Sequence, residues 1–126
     1  MSGRRILVVD DEPMVRESLE LMLKLDGHVI ESVASGAEAL QCYEPGKYAV
    51  VLTDNRMPGM SGLQLAAEIK RRHSAQVIIL FTGSPPVGAA LDCDLVLLKP
   101  FSAGDLRKAV FGFVEHVTSS TPKECR

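Results

Sequence analysis

Short apolar runs alternate with amphipathic segments along this chain, and that alternation predicts strands and helices in turn. Arg5-Ile6-Leu7-Val8-Val9 ends abruptly at Asp10-Asp11, and Tyr48-Ala49-Val50-Val51-Leu52-Thr53 ends at Asp54. Val77-Ile78-Ile79-Leu80-Phe81 ends at Thr82-Gly83, and Leu95-Val96-Leu97-Leu98 ends at Lys99-Pro100. These four runs are apolar throughout, the pattern of parallel strands covered on both faces by helices. His28-Val29-Ile30-Glu31-Ser32 alternates instead and reads as an edge strand.

The helical segments carry start and stop signals. Pro13 suits a first helical turn, and Gly27 supplies a stop. Between them Met14, Val15, Leu19, Leu21, Met22, Leu23 and Leu25 predict a broad apolar face. Ser35 with Glu38 and Ser61 with Gln64 are capping boxes, and Ser102 with Asp105 is a looser version. The last helix is predicted to run to about Val117, and the polar stretch from Thr118 to Pro122 to fray. The fold class is therefore α/β, a (βα)5 doubly wound three-layer sandwich. Function in such sheets gathers at the carboxyl ends of the strands.

Composition adds limits. The 126 residues suit one domain, with residues 4–117 as the domain and 118–126 as a polar tail. A formal charge of -2 argues against a general nucleic-acid binder. The one basic run, Lys70-Arg71-Arg72-His73, reads as a solvated last helical turn, with a partner-binding patch as the alternative. Cys42, Cys93 and Cys125 show no ligand spacing, so reduced thiols in the cytoplasm are expected. No apolar run is long enough for a membrane span.

The chemistry lies in the polar residues placed directly after each buried strand. One Asp after a strand is commonly a helix cap or turn former. Three at neighbouring strand ends (Asp10, Asp11, Asp54) oppose one another's ionisation unless a cation is supplied, and Lys99 brings a single charge. A magnesium ion meets the need, because it takes one or two carboxylates and completes its shell with water and phosphate oxygen. No His or Cys lies near these positions in sequence, which disfavours zinc or copper. A carboxylate can also act as nucleophile toward phosphorus.

The ordered set Leu7-Val8-Val9-Asp10-Asp11-Glu12-Pro13, Asp54-Asn55-Arg56-Met57-Pro58-Gly59-Met60-Ser61-Gly62, Thr82-Gly83 and Lys99-Pro100-Phe101 resembles the receiver domains of two-component response regulators, from about Arg5 to Val117. The resemblance implies a sheet order of 2-1-3-4-5, with Asp54 as phospho-acceptor and Asp11 as a direct magnesium ligand. Asp10 acts partly through water, and the Arg56 backbone carbonyl is a further ligand. Lys99 and Thr82 contact the phosphoryl group, and the Lys99-Pro100 bond is cis. The implied donor is a histidine kinase or a histidine phosphotransfer protein.

Two departures bear on output. Only Gly83 to Asp94 separate Thr82 from Leu95, and with Pro85 and Pro86 this predicts a shortened fourth helix around Val87 to Leu91. Val96 stands where similar proteins commonly carry an aromatic residue. Arg56 and Ser84 flank the implied path of the hydrolytic water. Two rival readings remain: an aspartate-nucleophile phosphatase, which needs an acid where Arg56 stands, and a binding module that no longer uses phosphorylation.

Overall fold

Alternation within each strand decides which layer a side chain enters. β1 (Arg5–Val9) sends Ile6 and Val8 to one face and Leu7 and Val9 to the other, all fully buried. The computed structural model describes residues 4–84 and 92–124, with side chains as far as Phe113. The other strands are β2 (Val29–Val33), β3 (Val50–Asp54), β4 (Val77–Thr82) and β5 (Leu95–Leu98), and every pairing is parallel. The order is β2-β1-β3-β4-β5, which matches the expected sheet.

Helices α1 (Pro13–Leu25) and α4 (Ala103–Glu124) cover one face, through Leu19, Leu23, Leu106 and Val110. Helices α2 (Gly36–Cys42) and α3 (Gly62–Arg72) cover the other, through Ala39, Leu65, Ala66 and Ile69. Each fully buried aliphatic side chain contributes about 1.5–3 kcal/mol relative to exposure.

The start and stop signals act as the sequence indicates, with differences. Pro13 opens α1, and Gly27 closes it at φ 88 with its N–H on the Lys24 carbonyl and the His28 N–H on that of Leu23. Ser61 and Gln64 form a reciprocal box. Ser102 and Asp105 form one too, at 3.1 and 3.0 Å, tighter than expected. Ser35 caps Glu38, but the Glu38 carboxylate reaches the N–H of Ala34 instead of completing the box.

Three expectations change, and a fourth is untouched. The α1 face is narrower than predicted: Leu19 and Leu23 are buried, whereas Met14, Leu21 and Leu25 are exposed, because one side of a helix meets the sheet. β5 is only partly covered, since it is an edge strand. α4 continues helically to Glu124 instead of ending near Val117: Ser and Thr carry only modest helical penalties, and Pro122, which lacks a backbone donor, falls only in the last turn. The predicted helix around Val87 to Leu91 lies outside the described residues, among which there are four helices.

Lys70 is more than a solvated charge. Its Nζ donates to the Gln76 carbonyl at 2.7 Å and pairs with Asp94 at 3.0 Å, while Arg71 and Arg72 pair with Glu68 at the surface. Asp94 in turn accepts from the Ile78 N–H at 2.8 Å and gives its own N–H to the Ile78 carbonyl at 2.7 Å. This knot ties the start of β5 to β4 and to the end of α3. Asp94→Ala leaves the Ile78 donor and the Lys70 cation without their partner, and should lower unfolding free energy by about 1–3 kcal/mol in urea melts. An unchanged midpoint would show that the knot is energetically idle.

Candidate functional site

In-register parallel pairing brings the strand ends together. Val9 is paired with Thr53 and Asp54 with Phe81, so Asp10, Asp54 and Thr82 end adjacent strands at one edge of the sheet. This edge lies between β1 and β3, where the strand order reverses.

One carboxylate oxygen from each of Asp10, Asp11 and Asp54 falls within 4.8 Å of the others. Asp10 is fully buried, Asp54 is 5% exposed and Asp11 is partly exposed. The Asp10 carboxylate is held by the Glu12 N–H at 2.8 Å on Oδ1. Its Oδ2 is the only buried side-chain N or O atom among the described residues with no hydrogen-bond partner. Burial pushes the Asp10 carboxyl up to about 6, with the Asp54 and Asp11 charges adding to the rise, while the Glu12 N–H and Lys99 oppose it. Three carboxylates and an unmet oxygen make a donor set suited to a hard divalent cation.

The countercharge comes from Lys99, whose Nζ lies 3.2 Å from Asp54 Oδ1 and 5.2 Å from the centre of the Phe81 ring. The ring face, itself packed edge-on against Phe101, steadies the ammonium beside the carboxylate. The Lys99-Pro100 bond is cis. Thr82 is buried, and its hydroxyl is engaged within its own loop, donating to the Ser84 carbonyl at 3.1 Å and accepting from the Ser84 N–H at 3.3 Å. Arg56 and Ser84 are exposed. Val96 is a half-buried strand residue opposite Leu80.

Three supporting residues escaped the sequence reading. Arg16 donates to the Asp10 carbonyl at 2.7 Å and so braces the acidic turn from one helical turn away. Asn55 accepts from the Leu63 N–H at 3.1 Å, and its carbonyl accepts from the Gly62 N–H at 2.9 Å. Gly62 packs so close that a Cβ there would lie 2.3 Å from the Asp54 carbonyl oxygen. Arg16 and Asn55 look like ordinary polar residues in sequence; for Gly62 the one signal was a glycine directly after a cap.

The response regulator receiver domain family matches residues 6–111. The transcriptional regulatory protein TcrA of Mycobacterium tuberculosis is 34% identical over 84% of this chain and 44% of its own length. The chain spans about half the length of the curated relatives it matches. The response regulator TrrA of Thermotoga maritima, solved in complex with Mg(2+)-BeF, is 37% identical, with a TM-score of 0.80 over 87% of this chain and 98% of that one. TrrA in complex with the histidine kinase ThkA is also similar, at 36% identity and TM-score 0.79, over 88% and 98% of the two chains. No helix among the described residues is long and apolar enough to cross a membrane.

Two stability measurements probe this geometry. The raised Asp10 carboxyl binds a proton more readily folded than unfolded, so the metal-free chain should lose stability as pH rises from about 4 through about 6. Asp10→Asn should remove most of that loss and stabilise the metal-free chain at neutral pH by about 2 kcal/mol; a less stable variant would contradict the electrostatic reading. Gly62→Ala should cost about 1–3 kcal/mol, because backbone must move to admit the methyl group.

Proposed function

Because the chain belongs to the response regulator receiver domain family, we propose that it is a signalling domain that accepts a phosphoryl group on Asp54 with magnesium bound at Asp10, Asp11 and Asp54. The observation that carries this reading is the three-carboxylate cluster facing a single lysine, with a buried carboxylate oxygen unmet. In the proposal the Arg56 backbone carbonyl supplies a further ligand. When bound, magnesium neutralises charge on the carboxylates and on the incoming phosphoryl oxygens.

The rest is done by the chain's own groups. An Asp54 carboxylate oxygen forms a bond to phosphorus as the bond from phosphorus to the donor's leaving nitrogen or oxygen breaks. Lys99, already beside Asp54, stabilises the charge spreading over the phosphoryl oxygens. Asp10 and Arg16 keep the acidic turn in place. Thr82 then exchanges its Ser84 partner for a phosphoryl oxygen, coupling chemistry to its loop. With valine at position 96 that movement has no aromatic ring to carry outward, so the readout takes another route.

The proposed donor is a histidine kinase or a histidine phosphotransfer protein, supported by the likeness to TrrA, which has been solved bound to ThkA. Such donors work in the cytoplasm, where we place the chain. It catalyses its own modification rather than turnover of a separate substrate. Arg56 stands where a phosphatase of the aspartate-nucleophile class needs a second acid, which disfavours that alternative.

Incubation with a small acyl phosphate and magnesium should add the mass of one phosphoryl group, read by intact mass spectrometry. Asp54→Asn should abolish the addition, and Lys99→Ala should slow it at least about tenfold. Addition that persists in Asp54→Asn, or none in the native chain, refutes the assignment.

A further inference from the structure

At the opposite pole of the sheet, under the amino ends of β1, β3 and β4, lies a cavity of about 330 Å³. Its lining has a one-sided charge: Arg4, Arg5, Lys47 and His73 contribute basic side chains, and among the described residues no carboxylate lines it. Glu31 is shared by Arg5 at 2.9 Å and Lys47 at 3.8 Å, so in this group one negative charge faces two positive ones. The Lys47 contact is an ion pair longer than a hydrogen bond. Glu31 is held below the usual carboxylate range chiefly by the Tyr48 hydroxyl, with Lys47 and Arg5 contributing, so it stays ionised and the excess of one cation persists at neutral pH.

The floor is fixed in place. Gln76, 2% exposed, donates to the carbonyls of Tyr48 and Val77 at 3.1 Å each and accepts from the Tyr43 hydroxyl at 2.8 Å. The same hydroxyl, its proton given to Gln76, accepts from His73 Nδ1 at 3.3 Å, so Nε2 is an acceptor in the neutral ring and donates to an anion only when the ring is protonated. Tyr48 is buried, and Lys47 Nζ lies 5.3 Å from the centre of its ring. Basic groups thus converge from three separate chain segments onto a concave, preformed surface.

We propose that this cavity binds a small phosphate-bearing molecule, at a site separate from the one that contains Asp54. A guanidinium retains donors beyond the one given to Glu31, and its fork matches phosphate oxygens. The volume sits at the lower end of ligand pockets, the scale of a mononucleotide or sugar phosphate rather than a larger cofactor. Free inorganic phosphate shares the recognised group and is distinguished by the experiment.

The test is a titration of the full chain followed by amide NMR, in chelator without magnesium to keep the acidic site out of play. Inorganic phosphate and adenosine monophosphate are added separately, with sodium chloride at matched ionic strength as the reference. Saturable shifts at Gly46, Ala49, Ala75 and Val77 with either probe support the proposal. Equal affinity assigns recognition to the phosphate alone, and tighter binding of the nucleotide extends it to the organic part. His73→Glu, a change at the helix end, should weaken binding at least about tenfold, and so should Arg5→Gln with Lys47→Gln. Asp54→Asn should bind as the native chain does. Shifts reproduced by salt, shifts confined to the aspartate pole, or no saturation at millimolar ligand would each overturn the proposal.

Discussion

Parallel strands held in register send all their carboxyl ends to one edge, and here that edge collects three carboxylates, two of them buried. Burying a carboxylate is costly unless a partner compensates, and Asp10 registers that cost through its raised pKa and its unmet oxygen. The fold tolerates the arrangement because the central strands beneath, β1, β3 and β4, are largely apolar and almost wholly buried under the helices. Stability stored in the two core layers sustains a locally unfavourable cluster. That cluster suits a hard divalent cation, and in the proposed function the cation and Asp54 together receive a phosphoryl group.

The surrounding groups work as constraints on position. Lys99 is set by the Phe81 ring on one side and by Asp54 on the other, so its charge arrives at a defined point. Gly62 and Asn55 press the start of α3 against the backbone of Asp54 and its neighbour. Arg16 does the same for the acidic turn from the side of α1. Electrostatic stabilisation of a transferring group is effective when the dipoles and charges are held in advance.

How far the sequence disclosed this differs from residue to residue. Asp10, Asp11 and Asp54 were legible because an apolar strand that stops abruptly on a charge is conspicuous, and parallel topology then dictates their proximity. The doubly wound class followed from the alternation of strands and helices, and the sheet order from the resemblance. Arg16, Asn55 and Gly62 were illegible because their roles are contacts with backbone atoms, which residue type alone does not disclose. Lys70 was misread for a similar reason: a basic last turn describes Arg71 and Arg72, but the third cation turns toward Asp94 across the fold. On α1, periodicity identified apolar residues without showing which of them the sheet would cover, and Met14, Leu21 and Leu25 remained outside.

The hook that Asp94 makes on Ile78 has an evolutionary reading. Because its side chain and its main chain both grip the same residue of β4, the register of the last strand is set locally and does not depend on the length of the connection leading into it. Selection can therefore shorten or rewrite that connection, as the proline-bearing stretch after Ser84 illustrates, without displacing Lys99 from Asp54. A lineage can in this way exchange its output surface while inheriting its chemistry intact.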